Sequence, residues 1–234
     1  MAVEFVLLLL AAYLFGSVPA AYLAAKWSRG IDIRQYGSGN VGATNLLGLT
    51  SKWIAIVAII FDAAKGMVMV WAAQLIGLGI AQQVPIGLAV IIGHNWPVFL
   101  RFSGGRGLLT IMGLAFFLPL INGLIPWEII AFFAVAAVSL FTIHNIPLGT
   151  GAGVAAMPLV SWGVDEPLPM TLGFVAMFLL LVIRRLTAPK TSVTASVPPG
   201  QLVLNRLLFD RDIRDREAWI RRQPVKREEK QGEG

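Results

Sequence analysis

The sequence predicts an all-α integral membrane protein of about seven transmembrane helices, its N-terminus outside and its C-terminus in the cytoplasm. Three observations carry this. Of 234 residues, 56% are hydrophobic and only 14% charged, with a mean hydropathy of +0.73. Soluble domains carry about 25% charged residues, so most of this chain needs lipid as its solvent. The apolar residues also fall in runs long enough to cross the hydrocarbon core, and the positive charges are distributed unevenly between those runs.

The runs justify the helices in order. The first covers residues 3–25; no basic segment precedes it and it continues past Gly16 and Pro19, so it reads as an anchor and not as a cleaved leader. The next two cover 53–80 and 83–100, and four shorter ones follow at 107–123, 127–143, 148–163 and 168–183. If they alternate, one side of the membrane receives Lys26, Arg29, Arg34, Lys52, Arg101, Arg106, the His144 turn and the chain's end. Every Lys and Arg except Lys65 then lies on that side, and the other side receives only Glu4, Glu128, Asp165 and Glu166. Positive loops stay in the cytoplasm, which sets the orientation.

Three regions result. Residues 1–186 form the membrane domain; 187–201, rich in Ser, Thr and Pro, read as a linker; 202–234 form a basic cytoplasmic tail. Leu202, Phe209, Ile213 and Ile220 recur among arginines, which predicts an amphipathic helix over 202–222 lying on anionic lipid, with a disordered KREEKQGEG end. The pI of about 10.1 belongs mostly to that tail and is no signature of nucleic-acid binding. Cysteine is absent, which excludes disulfides, thiolate metal sites and cysteine nucleophiles. His94 and His144 have no carboxylate at ligand spacing, so no metal site is expected.

The polar residues of the membrane domain concentrate in two loops on the positive side. In GIDIRQYGSGNVGATN (30–45), four glycines alternate with Ser38, Asn40, Thr44 and Asn45, a composition that lets backbone N–H groups turn toward an anion, with Arg34 beside them; the same composition suits a flexible connection. In GHNWPVFLRFSGGRG (93–107), His94 and Asn95 precede a glycine turn that opens an apolar helix, where unpaired N–H groups and the helix dipole favour an anion near Arg106; a helix-breaking turn with its arginines at the headgroups is the plainer alternative. No Walker A pattern is present, which leaves a nucleotide triphosphatase without support. Asp62 and Lys65, three apart inside the second run, suit an internal ion pair that supports these loops, or a direct role in chemistry. Two phosphate-type cradles at a lipid boundary point to lipid-headgroup chemistry.

GSVPAAYL (16–23), DIRQYGSGNVGATN (32–45), DAAKG (62–66) and GHNWPVFLRFSGGRG (93–107) resemble, in order and spacing, the bacterial acylphosphate:glycerol-3-phosphate acyltransferase (PlsY) family. The resemblance implies a seven-helix enzyme of the bacterial inner membrane. It would transfer a fatty acyl group from acyl phosphate to the 1-hydroxyl of glycerol 3-phosphate, giving lysophosphatidic acid for phospholipid synthesis, without metal or cofactor. It also implies roles. Ser38, Gly39, Asn40 and Thr44 would hold or orient the acyl phosphate, with Arg34 and Asn45 beside them; Gly104, Gly105 and Gly107 would bind phosphate. His94 would stand near the reacting atoms, and Arg106 where the family has a lysine for glycerol 3-phosphate. Three positions depart from the family pattern: Gly48 replaces an arginine, Arg106 replaces that lysine, and the His-Arg and Asn-Ile elements at the end of the last helix are missing from Ile183–Pro189. The departures allow a second reading, a member that binds lipid-phosphate ligands without turnover; seven helices with an intramembrane ion pair allow a third, a transporter.

Overall fold

The computed structural model describes residues 2–221. The first apolar run forms two helices, α1 (Ala2–Gly16) and α2 (Ala20–Arg29). Pro19 has no N–H and disfavours helical backbone before it, so the chain opens at 17–18. Ser17 closes the end of α1 by bonding back to the Tyr13 carbonyl through its N–H (2.9 Å) and its hydroxyl (2.8 Å). Within the 26–52 loop lies a short helix, α3 (Ala43–Leu49). α4 (Lys52–Leu75) starts at Ser51, whose hydroxyl accepts from the Ile54 N–H. The apolar pattern runs on to Ile80, but α4 stops at Leu75 because Gly77 takes φ 79° and turns the chain into α5 (Ile80–Asn95). Then come α6 (Leu108–Ile121), α7 (Trp127–Thr142), α8 (Ile146–Gly163) and α9 (Leu168–Leu186). Among the described residues, four segments are long and apolar enough to cross a membrane: Ala2–Arg29, Lys52–Leu75, Ile80–Leu100 and Leu168–Leu186; α6 and α7 are shorter apolar helices.

In lipid, helices gain little from hiding apolar surface from one another and pack through small residues instead. α1 lies on α5 with Gly16 against the Val90 carbonyl and Gly93 against the Tyr13 carbonyl, contacts that leave no room for a Cβ. α6 lies on α4 in the same way, Gly113 meeting the Ala63 carbonyl, and the Thr110 hydroxyl donates to the Asp62 carbonyl at 2.9 Å. Leu114, Met157, Met170 and Phe174 fill the centre of the bundle. Its outside is apolar as well: Leu7, Val57, Phe141 and Leu159 stand exposed, as a lipid-facing surface requires.

The tail differs from its sequence pattern. In place of one helix over 202–222 there are two, α10 (Pro199–Phe209) and α11 (Arg216–Arg221). Asp210 takes φ 53° and ends α10, and the following turn brings Asp212 back into a buried polar node. There Arg206 Nε donates to Asp212 at 2.8 Å, the Thr191 and Thr194 hydroxyls donate to the same carboxylate, and Asn205 donates to the Asp212 carbonyl at 2.9 Å. Arg206 also donates to the Leu186 carbonyl at the end of α9. Polar residues take a large part in docking this segment: Asn205, Arg206 and Asp212 are buried, while of the apolar stripe Leu202, Phe209 and Ile213 are half-buried and Ile220 is exposed. The segment 187–201, expected as a linker, contributes Thr191 and Thr194 to the node. Residues 222–234, including the end expected to be disordered, lie outside the described residues.

Candidate active site

Four elements converge at one end of the bundle. The first is a buried ion cluster. Asp62 and Lys65 share one face of α4, and Lys65 Nζ donates to Asp62 Oδ1 at 2.9 Å and to the Gly16 carbonyl at 3.1 Å, the latter freed by the break after α1. His94, at the end of α5, places Nδ1 2.6 Å from the same nitrogen. Nδ1 also lies 3.4 Å from Asp62 Oδ1; with Lys65 as an ammonium, which has only donors, Nδ1 accepts and the imidazole proton sits on Nε2. That Nε2 points at Gly105, where a Cβ would collide with it. His94 therefore presents a donor to the loop and not a lone pair.

The second element is the loop 30–45, which is held from within. Asn45 donates through Nδ2 to the carbonyls of Ile33, Tyr36 and Asn40, each at 3.1 Å, and its Oδ1 accepts from the Ser38 N–H at 3.1 Å. Its hydrogen-bonding capacity is spent on shaping the loop. Arg34 is also committed: Nε and Nη2 donate to Asp32 (2.9 and 2.6 Å), and the guanidinium stacks over Tyr22. The Asp32 carboxylate raises the Arg34 pKa above its ordinary value. The Asn40 N–H lies 3.4 Å from Ser38 Oγ, while Asn40 Oδ1 is buried with no hydrogen-bond partner among the described residues. Thr44 is exposed on the first turn of α3, and Gly48 is exposed with open space where a side chain would stand.

The third element, the loop 96–107, is held from outside. The N–H groups of Gly104 and Gly105 donate back to the Asn95 and His94 carbonyls (3.3 and 3.2 Å), so they are not the open donors the glycine pattern suggests. Their carbonyls are taken by Arg184 from the last turn of α9, Nη2 to Gly104 at 2.7 Å and Nε to Gly105 at 2.8 Å. This buried arginine also stacks over Trp96. The open donors lie further on: Gly107 turns into α6 at φ 72° with no side-chain cap, which leaves the first-turn N–H groups from Leu108 onward available. Asn95 is fully buried beneath this turn, and neither amide atom has a partner among the described residues.

The fourth element is the tail. Arg106, expected to hold phosphate, donates through Nε to Asp210 Oδ1 at 2.6 Å. Arg185 donates to the carbonyls of Leu207 (2.8 Å) and Pro147 (2.7 Å), tying α8, α9 and α10 together. Between the Gly16–Pro19 joint, Val41, Asp62, His94, Gly104 and Gly105 lies a cavity of about 10 Å³, the room of roughly one water.

The geometry brings Ser38, Gly39, Asn40, Asp62, Lys65, His94, Gly104, Gly105, Arg106 and Gly107 to one end of the bundle and commits Arg34 and Asn45 to structure. Sequence reasoning missed the carbonyl clamp of Arg184 and the contact of Asp210, neither of which has a local pattern. No cluster of three or more metal-ligating side chains occurs among the described residues.

These features define a membrane-embedded helical protein with a basic, donor-rich site at one end of its bundle. Residues 6–191 match the family model for glycerol-3-phosphate acyltransferase. Glycerol-3-phosphate acyltransferase 5 of Dehalococcoides mccartyi is 42% identical over 98% of both chains. The crystal structure of PlsY (YgiH), an integral membrane glycerol 3-phosphate acyltransferase, in its glycerol 3-phosphate form superposes with a TM-score of 0.69 at 27% identity, covering 78% of this chain and 88% of that one. Its lysophosphatidic acid form gives 0.67 over the same shares. The chain belongs to the glycerol-3-phosphate acyltransferase family.

Proposed function

We propose that this protein transfers a fatty acyl group from acyl phosphate to the 1-hydroxyl of glycerol 3-phosphate, yielding lysophosphatidic acid and inorganic phosphate. The observation that carries the reading is the meeting of three donor sets within one site: His94 Nε2–H, the uncapped N-terminus of α6 beside Arg106, and the Ser38–Asn40 turn. All seven apolar segments would cross the bilayer of the inner membrane, with the N-terminus outside and this site at the cytoplasmic face. The placement of every lysine and arginine except Lys65 supports that orientation.

An acyl phosphate is a mixed anhydride, so the protein need not form an acyl-enzyme. The glycerol hydroxyl oxygen bonds to the acyl carbon, the bond from that carbon to the phosphate oxygen breaks, and the departing phosphate takes the hydroxyl proton. The site's task is to hold two anions together and to stabilise charge on the acyl oxygen and the leaving phosphate. In this reading the Ser38–Gly39–Asn40 turn and Thr44 orient the acyl phosphate, with the unpartnered Asn40 Oδ1 at hand for a substrate hydroxyl. His94 donates from Nε2 to developing negative charge, held in that tautomer by Lys65, whose own charge is balanced by Asp62. Arg106 and the first turn of α6 take the glycerol 3-phosphate phosphate.

The test is lysophosphatidic acid formation by purified protein in detergent or proteoliposomes, with acyl phosphate, acyl-carrier protein and coenzyme A thioesters compared as donors. Turnover with acyl phosphate alone, abolished in Ser38→Ala, is the expected result. No turnover above that variant in a folded preparation ends the enzyme reading.

A further inference from the structure

The tail segment is not an appendage to this site. We infer that Asp210 is a positioning residue for the acyl transfer: its carboxylate grips Arg106 at Nε and so aims the remaining edge of the guanidinium at the phosphate of glycerol 3-phosphate. The inference rests on the reading of Arg106 as the cation for that phosphate.

Three observations carry it. The contact is made at Nε alone, at 2.6 Å, and the guanidinium makes no other hydrogen bond among the described residues. A carboxylate that substituted for the substrate's phosphate would take the two-pronged edge, where guanidinium pairs planar or tetrahedral oxyanions most strongly; here the Nη donors are left open. Secondly, Asp210 is set in place without Arg106. The Asp212 node, the bond from Arg185 to the Leu207 carbonyl and that from Asn145 to the Leu208 carbonyl (3.2 Å) fix the end of α10 against α8 and α9. Thirdly, Asp210 ends α10 in left-handed backbone (φ 53°), a conformation open to glycine, asparagine and aspartate, and this turn points its carboxylate back toward Arg106. Around the pair, Arg184 and Arg185 lie within electrostatic reach, so one carboxylate also relieves the repulsion among three cations.

The matched family region ends at residue 191, while the Dehalococcoides relative aligns over 98% of the chain and so extends through Asp210. Asp210 thus lies outside the region that the family model matches.

Steady-state kinetics of the full-length protein tests it with Asp210→Asn, Asp210→Gly and Asp210→Glu, and with Arg106→Ala alone and combined with Asp210→Asn. Glycine and asparagine both suit the backbone here, so a loss in either is a loss of the carboxylate and not of folding. The expected result is a KM for glycerol 3-phosphate raised about tenfold in Asp210→Asn and Asp210→Gly with kcat within about twofold, recovery in Asp210→Glu, and no further effect of Asp210→Asn in the Arg106→Ala background. An unchanged KM makes the carboxylate a spectator, a lowered KM makes it a competitor of phosphate, and additive losses uncouple it from Arg106; each overturns the inference. An unchanged KM in Arg106→Ala is a distinct result: it removes Arg106 from substrate binding, and the positioning role with it.

Discussion

The two loops at the polar end of the bundle have similar composition and opposite construction. The loop 30–45 closes on itself: Asn45 gathers four of its backbone groups and Asp32 neutralises Arg34 two residues away. The loop 96–107 turns on its own backbone bonds but takes its side-chain contacts from far away, its carbonyls held by Arg184 and its arginine by Asp210. A loop shaped mainly by its own side chains depends less on distant parts of the chain, and its reach outward is one bond from Arg34 Nη1 to the Leu100 carbonyl at 3.4 Å and the packing of Ile33, Val41 and Leu46 on α2 and α4. A loop held from a distance makes its geometry depend on the last helix and on the tail, so its cations are aimed only when the whole molecule is folded.

The comparison breaks most sharply at Asn45. Asn45→Ala removes the four hydrogen bonds by which one side chain shapes the loop, and we expect a loss of about 3 kcal/mol of stability together with all measurable activity, read by thermal unfolding in detergent and by product formation. Arg184→Ala comes next: two buried carbonyls lose their donor, kcat falls about 100-fold, and stability drops by about 2 kcal/mol. Arg184→Lys should restore less than half of the lost stability, since an ammonium does not reproduce a fork over two adjacent carbonyls. Arg34→Gln is expected to do least. Its pair with Asp32 is partly exposed and worth under about 1 kcal/mol, and turnover should change less than about threefold. A larger effect on KM in Arg34→Gln than in Arg184→Ala would reverse the assignment and make the first loop the chief cation donor.

The same contrast explains what was legible in the sequence. The helices were, since each apolar run declares itself locally, and so was the Asp62–Lys65 pair at a spacing of three. The glycine pattern of 30–45 announced a shaped loop, and local bonds are what shape it. In the second loop the pattern announced open N–H groups at Gly104 and Gly105, but the end of α5 claims them, and the open donors move to the start of α6. Arg184 reaches its carbonyls across 79 and 80 residues of chain, and Arg106 reaches Asp210 across 104. No spacing rule connects residues so far apart. The tail was legible only in part for a related reason: its apolar stripe predicted one helix where there are two, and Asn205, Arg206 and Asp212, with no local pattern to mark them, found buried partners, among them the end of α9.

The ion pair on α4 also bears on how the chain enters the bilayer. A lone carboxylate or ammonium at mid-membrane costs a helix about 2.5–3.5 kcal/mol during insertion. Asp62 and Lys65 meet within a single helical turn, so α4 is able to partition as a nearly neutral rod before any neighbour has packed. The Gly16 carbonyl and His94 come from α1 and α5, so the pair has its charge balanced within one helix and its further partners from two others.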